Sequence, residues 1–199
     1  MKLFYSTGAC SLSPRIALRE AGASFEAVKV GRDKKTSDGR DFRDINVYGY
    51  VPALELDDGA VLVEGPAIVQ YIADRWPDAK LAPLNGTLER YRVQSALGFI
   101  NSELHKLIGS LFHAMPQEQK AATLQKIDTR LGQLSTQMEG KAWVANDIYS
   151  VADIYLFVVF RWLAVSHIDL GRWPVLAAHQ AAVAARPAVR QALDDEQLT

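Results

Sequence analysis

VPALELDDGAVLVEG, residues 51–65, decides how this 199-residue chain is read. Val51 precedes a proline, whose ring clashes with an α conformation in the residue before it, so the segment enters extended. Ala53 to Leu56 and Val61 to Val63 are short apolar runs on either side of Asp57-Asp58-Gly59, and Asp-Gly between such runs marks a hairpin. Ile68, Val69, Ile72, Ala73 and Trp76 then recur at helical spacing, so a helix follows directly. The free N–H groups of its first turn lie close to Glu64 and Gly65, which makes a pocket for a small anion.

Upstream, Lys2 to Ser6 reads as a strand that stops at Thr7-Gly8. Ser13 to Glu20 reads as a helix, with Ser13 as N-cap and Pro14 at its first position. Phe25 to Val30 alternates as a second strand, which completes a βαβ unit. Cys10 falls between the carboxyl end of the first strand and the start of its helix, where open α/β sheets bind ligands and where helix-terminal dipoles favour a thiolate. Residues 31–50 are polar and glycine-containing, a mobile connection with one helical turn near Asp41 to Ile45. The order β-α-β, connection, β-β-α gives a four-stranded mixed sheet with helices against it.

Downstream, residues 76–86 carry two prolines and a glycine without periodicity and mark the domain boundary. Beyond it strand signals nearly vanish. A long helical segment runs from about 87 to 113, and a second follows Pro116 with Leu124, Ile127, Leu131, Leu134 and Met138 three and four apart. Ser150 and Asp153 approximate a capping box ahead of Ile154 to Phe160, which is apolar on nearly every side and therefore buried. Two helices, 173–185 and 188–193, close the chain. The reading is a thioredoxin-like domain over 1–77, a linker over 78–86 and an all-helical domain over 87–199.

A net charge of -1 with interspersed charges leaves no electrostatic footprint for nucleic acid. No stretch reaches the roughly 18 apolar residues a membrane span needs, and the start of the chain lacks a signal peptide, so a cytoplasmic location is expected. A single cysteine excludes an internal disulfide framework, a CxxC couple and a cysteine-rich zinc site, but not single-thiol chemistry.

Together, MKLFYSTGACSLSPRIALRE, YGYVPALELDDGAVLVEGPAIVQYIAD, ELHK at Glu103 to Lys106 and SVADIYLFVVFRW make the chain resemble the cytosolic glutathione transferases over essentially its whole length, and the bacterial beta class most. The resemblance implies a homodimeric detoxification enzyme that needs no metal or cofactor. It uses glutathione as co-substrate, activating the thiol for attack on a small hydrophobic electrophile, with thiol-disulfide exchange through Cys10 as a companion activity. It implies that Cys10 lies beside the glutathione sulfur and that His105 approaches the same sulfur from the helical domain, which contributes the second-substrate site. Val51 would pair through its backbone with the cysteinyl part, Pro52 would be the family's cis-proline, Glu64 and Gly65 would hold the γ-glutamyl end, and Lys35 would lie near the glycine carboxylate. Tyr5 and Ser11 align roughly with the catalytic tyrosine and serine of other classes, as secondary candidates. Two departures stand out. Gly65 replaces a common serine, and Gly98 stands three residues before Asn101 in a region where some members offer an asparagine to the neighbouring subunit's glutathione.

Taken singly, these residues have blander readings. Cys10 also fits a small buried hydrophobe, His105 a structural or solvent-exposed histidine, Glu64 a favourable charge at a helix start, and Lys34 with Lys35 a solvated loop face. Trp162, Phe112 and His167 fit either a second-substrate cleft or ordinary packing. His113, His167 and His179 have no partner pattern. Two rival functions remain beside conjugation: a non-catalytic binding or regulatory module on the same fold, and a mainly reductive glutathione-dependent enzyme.

Overall fold

β1 (Lys2–Tyr5), α1 (Leu12–Glu20) and β2 (Glu26–Lys29) form the expected βαβ unit in the computed structural model, which describes residues 1–198. β3 (Ala53–Glu55) and β4 (Val61–Val63) form the hairpin, and α2 (Gly65–Arg75) follows. The four-stranded sheet has the order β2-β1-β3-β4, with β1 parallel to β2 and antiparallel to β3. Leu3 pairs with Leu54 and Phe4 with Ala53, so each pair shares one face of the sheet. Phe4, Val28, Val30, Phe42 and Ala53 make the core on one side, with the rings of Phe4 and Phe42 5.6 Å apart. Leu3 and Leu54 point the other way, and α1 and α2 pack on each other and on the sheet through Ile16, Leu18, Ile68 and Ile72, all fully buried.

Two local readings change. α1 begins at Leu12, and Pro14 stands inside its first turn, where its missing N–H is still one the helix ladder does not need. Ser13 caps nothing; its hydroxyl donates to the Cys10 carbonyl at 2.8 Å. The connection expected to be mobile is densely bonded. Arg40 reaches Asp38 at 2.9 Å and Glu55 at 2.7 Å, Lys35 reaches Asp41 at 3.2 Å, and Asn46 donates to the Tyr50 carbonyl at 2.7 Å. A hydrogen bond from Thr36, then those from Arg40, hold the Asp38 carboxyl down at about 2. Its few large apolar residues made this segment look loose, but side-chain charge pairing, together with Phe42 in the core, holds it in place.

Contacts divide the chain into two compact units. The first is Met1–Pro83 together with the segment from Arg186 onward, and the second is Leu84–Ala185. The sequence reading gives everything after residue 86 to the helical half, and this is corrected. α8 (Pro187–Asp195) buries Val189, Ala192 and Leu193 and packs along α1. Ion pairs Arg186–Glu20 at 2.5 Å, Arg19–Asp195 at 2.7 Å and Arg15–Glu196 at 3.2 Å hold it there. Those partners lie some 170 positions apart in the chain, so no local pattern announces them.

The second unit contains α3 (Leu88–Phe99), a π-helical stretch Ile100–His105, α4 (Lys106–Ser110), α5 (Gln117–Gln137), α6 (Val151–Val165) and α7 (Pro174–Ala184). α6 is its centre, buried at every position from Val151 to Phe160 and packed by α3, α4 and α7. The expected capping box forms in full. Ser150 Oγ accepts from the Ala152 N–H at 3.3 Å, and Asp153 Oδ2 accepts from the Ser150 N–H at 2.9 Å. His179, which has no pattern in the sequence, reaches Asp153 Oδ1 at 2.9 Å, and the Val144 N–H donates to the same oxygen at 2.8 Å. The interruption of the 87–113 helix by the π-helical stretch is not signalled by composition, since Ile100 to His105 contains neither proline nor glycine.

Candidate functional site

The sequence-derived residues fall into one group in each unit. In the first, β1 ends at Tyr5 and the chain turns through Gly8, whose φ of 72° suits a residue without a Cβ. The turn is closed by Ser11, which is fully buried. Its hydroxyl accepts from the Ser6 N–H and donates to the Ser6 carbonyl, both at 3.2 Å. Ser11 thus spends its donor and an acceptor on shaping the turn. Tyr5 lies under the Arg15 guanidinium, 4.0 Å from the ring centre.

This turn presents the Cys10 thiol to the Val51 carbonyl at 3.4 Å. The Val51-Pro52 peptide bond is cis, and a Cβ built on Gly65 would stand 3.8 Å from Pro52 Cγ, so Cys10, Val51, Pro52 and Gly65 form one contiguous group. That spacing is ordinary van der Waals contact, so the Cβ of a residue at position 65 fits without displacing Pro52. Glu64 has φ 69° and ψ 113°, a conformation that costs a non-glycine residue of order 1–3 kcal/mol. Its carbonyl accepts from Ala67 and Ile68, both at 3.0 Å, while its side chain makes no cap, which leaves the carboxylate at the head of α2. The Gly65 N–H beside it has no place in the helix ladder.

The dipole argument for a Cys10 thiolate does not hold in this structure. Burial, aided by the negative charge of Glu64, pushes the thiol up to about 12, against the lowering by backbone N–H groups of Cys10 and Ser11. Cys10 is therefore a neutral donor at neutral pH. From the ordinary value of 9.0 to about 12 the thiolate fraction falls roughly a thousandfold. Alkylation of the ligand-free protein by iodoacetamide, followed by mass spectrometry, is expected to be at least about a hundredfold slower than for a free thiol at pH 7.5 and to climb through pH 10. A rate like that of free cysteine overturns this.

Lys35 stands apart from the group, with its ammonium on Asp41 at 3.2 Å. Lys34 instead anchors the turn before Val51, donating to the Gly49 carbonyl at 2.8 Å.

In the second unit His105 ends the π-helical stretch. Its Nδ1 is 2.5 Å from the Tyr155 hydroxyl, which donates to Asn101 Oδ1 at 2.8 Å. Trp162 packs edge-on against the imidazole at 4.8 Å, and Phe112 edge-on against Trp162 at 5.8 Å. Burial first, and the Lys106 charge second, lower the His105 pKa, so the ring is neutral at pH 7. His167 is exposed in the turn after α6.

Sequence reasoning missed Tyr155, Arg15 and Glu196, and it gave Asn101 no role beside His105. The Glu196 carboxylate accepts from the Gly8 N–H at 2.9 Å while facing Arg15, so the tail of the chain holds the turn that carries Cys10. Asn101 and His105 are four apart on one helical segment, a spacing that places side chains on one face. That was the one available signal.

The model of the glutathione S-transferase N-terminal domain matches residues 7–75, and that of the C-terminal domain matches residues 99–187. Glutathione S-transferase GstA of Escherichia coli O157:H7 is 40% identical over 201 residues, covering 100% of both chains. Among solved structures, a ternary complex of BphK, a bacterial GST, is 55% identical with a TM-score of 0.97, covering 100% of both chains. A sphingomonad glutathione S-transferase complexed with glutathione is 49% identical, with a TM-score of 0.96 and 100% of both chains covered. The bacterial beta-class enzyme of Sphingomonas chungbukensis gives the same three values.

Proposed function

The chain belongs to the glutathione S-transferase family, in its bacterial beta class, and on that footing we propose that it conjugates glutathione to small hydrophobic electrophiles, with Cys10 and His105 as the catalytic pair. The observation that carries this reading is the contact of the Cys10 thiol with the Val51 carbonyl beside the strained Glu64-Gly65 head of α2. Val51 pairs with the backbone of the cysteinyl residue. The Glu64 carboxylate takes the γ-glutamyl ammonium and the Gly65 N–H its carboxylate, for which a helix start is well suited. Lys35 turns from Asp41 to the glycine carboxylate. Glutathione's own thiol, of pKa about 8.5, is mostly protonated at neutral pH. His105, a neutral imidazole, takes that proton, and the Cys10 S–H donates to the sulfur anion as a hydrogen bond. The thiolate then attacks the electrophilic carbon, a carbon–sulfur bond forms, and a leaving group such as halide departs with its electron pair.

Disulfide exchange through Cys10 is the second reading. It needs Cys10 itself as a thiolate, which burial makes scarce, so it is placed behind conjugation. Cytoplasmic location and a homodimer complete the proposal. In support of the dimer, Val47, Tyr48 and Tyr50 are exposed at 79%, 70% and 72%, an apolar cluster on one short loop.

Retention on immobilised glutathione and conjugation of an activated aryl chloride test the reading. Absence of both in folded protein overturns it, and a Cys10→Ala/Glu64→Ala/His105→Ala variant that still pulls down a partner favours the binding-module rival. A lowered His105 pKa also sets the acid side of the activity profile. The ring is neutral above its folded pKa and is protonated as pH falls through it, so kcat/KM is expected to decline only below about 6.5, the ordinary histidine value. A midpoint clearly above that value contradicts the assignment of His105.

A further inference from the structure

His105 is held by two neighbours that the proposed chemistry does not otherwise use. Its Nδ1 lies 2.5 Å from the Tyr155 hydroxyl, close enough that a proton must stand between them. A phenol carries one proton and two lone pairs. The Tyr155 proton is committed to Asn101 Oδ1, 2.8 Å away, an amide oxygen that has nothing to donate in return. The hydroxyl can therefore only accept from the imidazole, and the imidazole proton sits on Nδ1. The geometry points to Asn101 and Tyr155 as positioning residues that lock His105 in the Nδ1–H tautomer and so reserve the Nε2 lone pair for the substrate thiol.

The surrounding packing supports a fixed ring. Tyr155 is 1% exposed on the buried face of α6, so its hydroxyl does not wander into water. Trp162, one further α6 side chain, packs edge-on at 4.8 Å. Gly109, a turn after His105, leaves space that a Cβ would occupy 3.8 Å from the imidazole Cδ2. The π-helical stretch Ile100–His105 carries both Asn101 and His105, and single π turns inside α-helices recur at functional sites. The charged group that acts on the ring is Lys106 on its own helical segment; Glu103, two positions before it, is tied to Arg130 of α5 at 2.8 Å, and α6 presents Tyr155 and Trp162. A neutral donor-acceptor relay therefore orients the histidine without charging it. This leaves it a base, where a carboxylate partner would favour the imidazolium. The inference rests on His105 acting in conjugation.

The test reads the tautomer directly. Protein labelled with ¹⁵N at its four histidines is assigned with His105→Gln and examined by two-bond ¹H–¹⁵N correlation at pH 8, while kcat and the glutathione KM are measured with an activated aryl chloride. The wild-type ring is expected to be protonated on Nδ1. Tyr155→Phe is expected to shift the population to Nε2–H and to lower kcat about tenfold with the glutathione KM within about twofold. Asn101→Asp keeps an acceptor for the Tyr155 proton, so it is expected to retain the Nδ1–H signal while moving the acid limb of kcat/KM upward, because a carboxylate favours the protonated ring. It also serves if Tyr155→Phe does not fold. A wild-type ring protonated on Nε2, or a Tyr155→Phe protein with the wild-type tautomer or wild-type kcat, overturns the proposal, as does an Asn101→Asp protein that loses the Nδ1–H signal. His105→Gln with undiminished kcat refutes the role of His105 in the reaction instead, a failure visible separately because the nitrogen shifts do not depend on turnover.

Discussion

Asp153→Ala is expected to lower the unfolding free energy by about 3–5 kcal/mol, read as a shift in the urea midpoint at constant slope. The carboxylate is fully buried, and each of its oxygens is used twice. Oδ1 accepts from the Val144 N–H at 2.8 Å and faces His179 Nε2 at 2.9 Å, and Oδ2 accepts from the Ser150 N–H at 2.9 Å and its hydroxyl at 3.1 Å. Alanine leaves buried donors stranded at about 1–3 kcal/mol each and also strips α6, the centre of the helical unit, of its cap. Asp153→Asn keeps one oxygen of the two, so a loss of about half that size is expected. Against a typical total of about 5–15 kcal/mol, the alanine variant is expected to be recovered poorly at 37 °C. A midpoint within about 0.2 M urea of wild type contradicts the network's importance.

Glu196→Ala is expected to cost a similar about 3–5 kcal/mol and, unlike Asp153→Ala, to weaken glutathione binding in the fraction that folds. Arg15 is 2% exposed, stacked 4.0 Å from the Tyr5 ring and paired with Glu196 at 3.2 Å. Removing the carboxylate leaves the buried cation with only the more distant Asp195 at 3.9 Å and takes away the acceptor that the Gly8 N–H meets at 2.9 Å in the turn that carries Cys10. Replacing both partners at once, as Arg15→Met with Glu196→Leu, is expected to cost less than the two single changes summed, since neither charge is then stranded. Additive losses contradict that coupling. The pH dependence has a definite sign. Burial raises the Glu196 pKa above its ordinary 4.5, outweighing the lowering by the Gly8 N–H and by Arg15. Both states are protonated below 4.5, and the unfolded chain ionises first as pH rises, so this group's contribution to stability falls between 4.5 and its higher folded value. Glu196→Gln, which cannot ionise, is expected to remove that decline.

Much of the molecule was legible because its signals are local. The Val51 to Gly65 hairpin and helix start, the βαβ unit around Cys10 and the Ser150 capping box each depend on residues within a few positions of one another, where sterics and backbone hydrogen bonding act directly. The same blocks carry the family resemblance, so the chain alone identified the thioredoxin-like and helical halves and the class of chemistry. Tertiary structure decided what depends on partners distant in the chain. Whether Cys10 is a thiolate was undecidable from its place after a strand, because burial and Glu64, more than 50 positions on, set its proton affinity. The return of α8 to α1 rests on ion pairs such as Arg19–Asp195, and the tautomer of His105 rests on Tyr155, fifty positions away. Periodicity says which face of a helix is buried but not which polar atoms meet there, since a hydrogen bond needs its two partners within about 3 Å. The sequence by itself therefore determined most of the elements, their order and the hairpin and helix start at Val51 to Gly65, while only the folded chain decided which groups are charged, which are neutral donors, and which residues hold them in place.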